Sequence, residues 1–140
     1  MSIIVQVNDL IDIDSTLKIV YYKKEDGMYE VEFYNDHRDR CQVIDFLGKL
    51  QIKERAKIAK WIEMLEREGP DLPRPYADIV KGKIRELRIG FGTNEYRFLY
   101  FFCGKRIIIT HGFIKKTDTV LVEDIEMADR IMKDFMRLNQ

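Results

Sequence analysis

Residues 81–116 concentrate the basic side chains of this 140-residue chain. The chain as a whole is neutral, with 24 lysines and arginines against 24 aspartates and glutamates, but this segment holds nine basic residues and two acidic ones. A cationic block in a neutral chain predicts a face that binds phosphate groups. The alternative is that the basic side chains only fill the solvent side of strands. The nine are Lys81, Lys83, Arg85, Arg88, Arg97, Lys105, Arg106, Lys115 and Lys116.

Arg97 stands out within this block because it interrupts the otherwise apolar run from Tyr96 to Phe102. An unpaired buried guanidinium is costly, so Arg97 must either pair with a structural carboxylate or reach a cleft where an anion binds. Arg88 lies on the polar side of the alternating segment 86–91. Both arginines are therefore candidates for holding a phosphate.

His111 is the histidine of this block, and its ordinary pKa suits proton transfer at neutral pH. A single histidine in an apolar strand can equally be structural, with both ring nitrogens satisfied by neighbours. Lys115 and Lys116 follow the same strand, either as phosphate ligands or as solvated loop residues. Clustered His, Asp and Cys residues at metal-ligand spacing do not occur, so we expect chemistry without metal or other cofactor.

The segments that must position these residues predict an α+β fold of order β–α–α–β–β–β–α. Apolar runs near residues 2–7 and 17–22 predict an N-terminal β-rich extension, residues 1–27, ahead of a main domain at 28–140. Residues 28–34 read as a strand, a short helix starts with Asp39 as its cap, and a longer helix covers about 52–68 until Gly69-Pro70 stops it. Residues 71–80 read as an extended connection.

The second half of the chain predicts three strands and a final helix at about 121–138. The middle strand, residues 96–102, is apolar on both faces, which is typical of a central strand covered on both sides. Because the turns around Gly92 and Gly104 are too short for crossovers, residues 84–113 should form three adjacent antiparallel strands packed on the helix at 52–68.

Composition excludes several classes of protein. With 46% hydrophobic residues, disorder is not expected, and 140 residues suit a single domain. Two cysteines give no disulfide framework, which fits a reducing compartment. Apolar runs are too short for a membrane span, and the first ten residues lack the pattern of a secretory signal. We therefore expect a cytoplasmic protein without membrane partners.

Several ordered motifs resemble the RelE/HigB toxins, in particular their phage-derived HigB-like branch. The resemblance covers about residues 28–137 and is carried by motifs in order and at matching spacing. They are Ile84-Arg85-Glu86-Leu87-Arg88, Glu95-Tyr96-Arg97-Phe98-Leu99-Tyr100-Phe101-Phe102, Thr110-His111-Gly112-Phe113-Ile114-Lys115-Lys116-Thr117 and Asp124-Ile125-Glu126-Met127-Ala128.

This resemblance implies a RelE-like fold: a small, curved, mainly antiparallel sheet with two helices before the sheet core and a C-terminal helix. It also implies the toxin of a type II toxin–antitoxin system, a ribosome-dependent and metal-independent endoribonuclease that cleaves mRNA. Its partners would be the ribosome, mRNA and a helix-turn-helix (HigA-like) antitoxin. The alternatives are a ParE-like inhibitor of DNA gyrase that cuts no RNA, and an inactive prophage relic that only binds its antitoxin.

The implied chemistry is attack of a ribose 2′-hydroxyl on the adjacent phosphate, which needs a base, cations around the phosphate and an acid for the departing 5′-oxygen. Arg97 matches the strand arginine that the family uses on the scissile phosphate. The family's C-terminal tyrosine has no counterpart after Tyr100, and Glu86 stands where RelE has a basic residue. The catalytic candidates are Arg97, Lys115, Lys116, His111 and Arg88. The substrate-binding candidates are Lys81, Lys83, Arg85, Arg106 and, by stacking on a base, Phe113.

Overall fold

The computed structural model describes residues 2–4 and 28–139, which form one mixed sheet with helices on both faces. The strands are β1 Ser2–Ile4, β2 Glu30–Tyr34, β3 Ala77–Lys81, β4 Ile84–Phe91, β5 Asn94–Cys103 and β6 Arg106–Ile114. The helices are α1 Gln42–Gly48, α2 Ile52–Glu68 and α3 Val122–Leu138, with a short 3-10 turn at Gly69–Asp71 after α2. The α+β prediction is confirmed.

The sheet order is β1-β2-β6-β5-β4-β3. Strands β4, β5 and β6 are adjacent and antiparallel, as predicted, because two-residue turns connect them. Each turn begins with a glycine at positive φ, Gly92 at 60° and Gly104 at 61°, a conformation that other residues adopt at a cost. The parallel contact is between β2 and β6, because α1, α2, β3, β4 and β5 intervene and return the chain in the same direction.

Two apolar cores lie on opposite faces of the sheet. Helices α1 and α2 cover one face, where Leu47, Ile58 and Ile62 pack against strand side chains. Helix α3 covers part of the other face through Ala128, Ile131 and Phe135. Residues 96–101 of β5 are all buried, since alternate side chains of this strand enter the two cores. The prediction of a central strand covered on both sides is confirmed.

The sequence prediction missed β3. Residues 71–80 were expected to form an extended connection, but Ala77–Lys81 pairs antiparallel with β4. Pro73 and Pro75 precede the strand, and these two prolines favour an extended connection over a strand in the sequence pattern. As an edge strand it also buries little, and Ile79 is 60% exposed, so its apolar alternation is weak.

The predicted cap of α1 was also wrong. Asp39 has a φ of 62° and lies outside the helix, which begins at Gln42 with Cys41 as its N-cap residue. The Asp39 carboxylate instead accepts a hydrogen bond from the side-chain amide of Asn35 and so closes the preceding turn. A short polar side chain tolerates positive φ and forms turns as readily as it caps helices, and the sequence pattern does not separate the two roles.

Of the expected N-terminal extension, Ser2–Ile4 pairs with β2 as an edge strand. The rest of that prediction, including the strand at 17–22, lies outside the described residues. Within residues 2–4 and 28–139, none of the helices combines the length and the apolar character that crossing a bilayer requires.

Candidate functional site

Strands β4, β5 and β6 bring several of the predicted residues together on the face of the sheet that carries α3. Arg88 pairs in register with Arg97, and Arg97 pairs with Phe113. Directly paired residues of antiparallel strands project from the same face with their side chains in contact range. These three side chains therefore form a row across the sheet, and His111 lies in the next row, opposite Leu99.

Arg88 is held tightly by two carboxylates. Its Nε donates to Oε1 of Glu86 at 2.7 Å, and its Nη2 contacts Oδ2 of Asp78 at 3.1 Å. The hydrogen bond and charge of Glu86, together with those of Asp78, raise the pKa of Arg88 above its ordinary value. The side chain is 31% exposed, so the two carboxylates fix its position while part of it stays open to solvent.

Arg97 is buried but held loosely. Its Nε lies 3.6 Å from Glu86 Oε2, and its Nη2 lies 3.5 Å from Glu95 Oε2, distances longer than those of a good charge-assisted hydrogen bond. Nη1 donates to the Tyr96 carbonyl at 3.1 Å. Among the described residues, neither Arg97 Nε nor Glu86 Oε2 has a hydrogen-bond partner. Both sequence readings of Arg97 therefore hold in part: it has structural carboxylates nearby, and it also reaches a cleft.

That cleft, called the arginine cleft below, has a volume of about 330 Å³. It is lined by Trp61, Pro75, Tyr76, Arg88, Ile89, Gly90, Glu95 and Arg97. The rings of Trp61 and Tyr76 pack edge to face, with centroids 6.3 Å apart, and form its aromatic wall. The cleft thus combines two guanidinium groups and the Glu95 carboxylate with an aromatic wall, side chains that can contact a phosphate and stack on a planar base.

His111 has partners at both ring nitrogens. Nδ1 lies 3.0 Å from the Thr110 hydroxyl and Nε2 lies 3.1 Å from Oδ1 of Asp124 in the first turn of α3. The residue is 4% exposed, and this burial lowers its pKa, although the hydrogen bond and charge of Asp124 oppose the shift. The structural reading of His111 is therefore strongly supported, and a role in proton transfer would require it to release a partner.

Lys115 and Lys116 lie beside the arginine row rather than in it. They line a separate cavity of about 180 Å³ together with Phe113 and Asp124, and this space is called the lysine cavity below. The Lys115 backbone N–H donates to the Glu95 carbonyl at 2.7 Å, which fixes the end of β6 next to β5. Phe113 belongs to both the arginine row and the wall of the lysine cavity, so the two sites are neighbours.

The other predicted substrate-binding residues are not brought to this site. Arg85 projects from the opposite face, where its guanidinium lies 5.2 Å from the Phe102 ring centroid. Arg106 lies at the other end of β6 and pairs through two nitrogens with Glu32, at 2.5 and 2.9 Å. Lys81 ends β3 and Lys83 lies in the turn before β4, at that same far end of the strands. The basic block is therefore divided over both ends and both faces of the sheet.

Sequence reasoning assigned no site role to three carboxylates that complete this region: Asp78, Glu95 and Asp124. Asp78 lies on the strand that was missed, and Asp124 was identified only as the first residue of the motif Asp124-Ile125-Glu126-Met127-Ala128. Glu95 stands beside Tyr96 and Arg97, and only the strand register shows which face it shares. Within the described ranges, no group of three or more His, Cys, Asp or Glu residues is placed to hold a metal ion.

Comparison with known families finds one family model, described as "Phage derived protein Gp49-like (DUF891)", that matches residues 45–133. The match spans more than half of the chain and contains α2, the strands β3 to β6 and most of α3. It therefore includes every residue of the arginine cleft and of the lysine cavity. No curated protein matches the chain significantly.

Proposed function

The chain belongs to the Gp49-like family of phage-derived proteins, and from this premise we propose that it is the toxin of a type II toxin–antitoxin pair and cleaves mRNA on the ribosome. Gp49-like proteins are known as a toxin group of such systems. The resemblance of the motifs to the HigB-like branch supports the finer assignment, with a helix-turn-helix antitoxin as the partner. The arrangement of three antiparallel strands between two helical layers is consistent with a small RelE-like fold.

The observation that carries this proposal is that Arg97 borders the cleft and makes only long contacts to its neighbouring carboxylates. Its guanidinium borders the arginine cleft beside Arg88, and its contacts to Glu86 and Glu95 are 3.6 and 3.5 Å long. Phosphate oxygens can form shorter and stronger bonds with a guanidinium than these carboxylates do. A phosphate entering the cleft would therefore gain more from Arg97 than the loose ion pairs lose.

The roles of the other side chains follow from how firmly each is held. Arg88, fixed by Glu86 and Asp78, presents a second positive charge at a set position, and Lys115 and Lys116 add charge across the row. In the proposed reaction the ribose 2′-oxygen attacks the phosphorus, its proton passes to a base, and the 5′-oxygen leaves with a proton from an acid. The cationic side chains would stabilise the negative charge that develops on the phosphate.

Ribosome dependence is supported by the scarcity of available acid–base groups among the described residues of the site. His111 is the histidine nearest the row, and both of its nitrogens are engaged. A site that is rich in cations but poor in available acid–base groups can stabilise a strained phosphate and needs a partner to align the 2′-hydroxyl. We therefore expect the purified protein to cleave free RNA poorly.

One observation favours the alternative of a toxin that binds without cutting RNA, as a gyrase inhibitor of the ParE kind does. Both arginines already face carboxylates, and these lower the net positive charge of the cleft. A surface of paired charges suits protein recognition as well as phosphate binding. The experiment below separates the two activities.

The test is expression of the toxin without antitoxin, with sequencing of RNA 5′ ends and measurement of DNA breaks. Wild-type protein should arrest growth and leave new ends inside translated messages. Arg97→Ala should reduce cleavage by about 100- to 1,000-fold, as expected for loss of one positioned donor to a developing anion. Arg137→Ala, at an exposed arginine near the end of α3, is the matched control and should cleave normally.

Two further results would overturn the proposal. Growth arrest with intact messages and double-strand DNA breaks would assign the gyrase activity instead. A fall of many degrees in the melting temperature of Arg97→Ala, with loss of antitoxin binding, would show that Arg97 acts as a structural ion-pair partner.

A further inference from the structure

Besides the two lysines, the lysine cavity has an apolar wall and a carboxylate that the proposed cleavage chemistry does not use. It lies between the end of β6, the loop that follows it and the first turn of α3. Its wall consists of Phe113, Ile114, Lys115, Lys116, Thr117, Thr119, Leu121 and Asp124. Leu121 is 50% exposed and belongs to neither of the two apolar cores. Leu121 and Phe113 give the cavity an apolar wall beside its two lysines and Asp124.

Two of these wall residues are held in position by His111. Asp124 Oδ1 contacts His111 Nε2 at 3.1 Å, which leaves Oδ2 for another donor. The Phe113 ring lies 5.7 Å from the His111 ring at an angle of 32°, so its orientation is restricted. A buried histidine thus places a flat apolar surface and a carboxylate oxygen at the same cavity before any ligand arrives.

Resting on the proposed function, we propose that the lysine cavity is a subsite for one nucleobase of the RNA next to the cleaved bond, and that it selects bases with an exocyclic amino group. The volume of about 180 Å³ is below the roughly 300–1,000 Å³ of sites for drug-sized ligands. It therefore has room for one planar ring system, with the attached sugar and phosphate outside the cavity.

The polar groups of the cavity decide which base fits. Asp124 accepts a hydrogen bond from an amino group, as carboxylates do with the N4 amino group of cytosine, while Lys115 or Lys116 donates to a neighbouring carbonyl oxygen or ring nitrogen. Adenine, guanine and cytosine each offer such a pair of donor and acceptor. Uracil offers a single N–H between two carbonyl oxygens, and the carboxylate of Asp124 repels those oxygens.

The position of the cavity agrees with this assignment. Phe113 is the direct register partner of Arg97, so the two side chains are neighbours across β5 and β6. A phosphate bound by Arg97 therefore leaves the base of an adjoining nucleotide within reach of the Phe113 ring. The two lysines lie on the same side and can contact the connecting backbone.

The experiment is a map of cleavage sites in translated messages for wild-type protein, Asp124→Asn and Glu123→Gln. In wild type, one position next to the cut should be depleted of uracil about tenfold, the lower range of discrimination by a well-placed pair of hydrogen bonds. Asp124→Asn keeps an oxygen for His111 and adds a donor, so it should remove this depletion. Glu123→Gln changes the charge of an exposed neighbour outside the cavity and should preserve it.

The outcomes separate this inference from the proposed function. Absence of cleavage by the wild-type protein would overturn the function and the subsite together. Cleavage with the same base distribution in wild type and Asp124→Asn would overturn the subsite and leave the function standing.

A binding measurement on purified protein covers the case in which Asp124→Asn folds poorly. Guanosine monophosphate should shift the backbone amide resonances of Lys115, Lys116 and Asp124, and uridine monophosphate should shift them about tenfold less at equal concentration. Phe113→Leu retains the His111–Asp124 pair and removes the stacking surface, so it should weaken the response to guanosine monophosphate. Equal shifts by the two nucleotides would contradict base selection.

Discussion

At the residue scale, the most informative feature is the free-energy cost of burying the charges of Arg97 and Glu86. Both side chains are nearly inaccessible, at 6% and 5% exposure, and their closest approach is 3.6 Å. Removing two charges from water costs several kcal/mol, and an ion pair without good hydrogen bonds does not recover that amount. An apolar pair would serve a purely structural purpose at lower cost, and the proposed phosphate would supply the short hydrogen bonds that Arg97 lacks here.

The pH dependence of stability provides a test of His111. Burial lowers its folded-state pKa below the ordinary value of 6.5, so the unfolded chain takes up this proton first as the pH falls. Its contribution to stability is therefore complete above about pH 6.5 and is lost as the pH falls from there towards the folded pKa. We expect the melting temperature to decrease between pH 7.5 and 5.5, and to decrease less in His111→Gln.

His37 supplies the control for this measurement because it is exposed on a turn. The variant His37→Gln leaves every contact of His111 in place and measures the effect of removing a histidine elsewhere in the protein. Identical slopes for wild type and His111→Gln would show that the histidine carries its proton equally in both states, against the effect of burial.

The residues of the site illustrate what sequence can supply. Arg88, Arg97 and Phe113 were predicted from strand alternation and the resemblance, and the structure aligns them in one row. The partners Asp78 and Asp124 were not predicted, because each lies in another element and its approach depends on how the sheet meets that element. Local periodicity assigns a face to a residue but does not give its neighbour across the fold.

At the element scale, prediction succeeded where a strand is buried on both faces and failed at the edge. Strand β5 has an apolar run long enough to identify, whereas β3 is five residues long and partly exposed. Yet β3 carries Asp78, which anchors Arg88, so the weakest sequence signal in the sheet contributes to the site. Edge strands near clefts escape detection for this reason: they bury too little to show alternation.

Strand β6 makes a second prediction possible, at Gly112. A Cβ atom added there would overlap the ring of Phe98, which is fully buried and packs against Phe46 with centroids 5.8 Å apart. Because the ring cannot move freely, Gly112→Ala should lower the free energy of unfolding by about 1–3 kcal/mol, as overpacking does. Chemical denaturation followed by circular dichroism would measure the change.

Gly90 is the matched control in β4, since nothing lies within 4 Å of a Cβ added there. Gly90→Ala should leave the unfolding free energy unchanged or raise it slightly, because alanine loses less backbone entropy than glycine. A similar loss in both variants would attribute the effect to β-strand propensity and not to the contact between Gly112 and Phe98.

At the scale of the whole molecule, the division of the basic block changes what its charge can do. The segment 81–116 reads as one cationic unit, but the fold sends Arg85 to one face, Arg97 to the other and Arg106 to the far end, where it pairs with Glu32. The sum of charge along a sequence therefore overstates the charge of any one surface. Long-range attraction to a polyanion depends on charges that share a surface, and here few do.

This distribution predicts a weak salt dependence of RNA binding. Each phosphate contact to single-stranded nucleic acid contributes about −0.7 to the slope of log affinity against log salt concentration. Contacts from Arg88, Arg97, Lys115 and Lys116 would give a slope of about −2 to −3, whereas the nine basic residues acting together would give about −6. Fluorescence anisotropy of a labelled RNA oligonucleotide, titrated at several salt concentrations, measures this slope. A slope near −2 to −3 would confine RNA binding to the end of the sheet where Arg97 lies. A slope near −6 would mean that both ends of the sheet bind RNA together, although Arg106, Lys81 and Lys83 lie far from the arginine cleft.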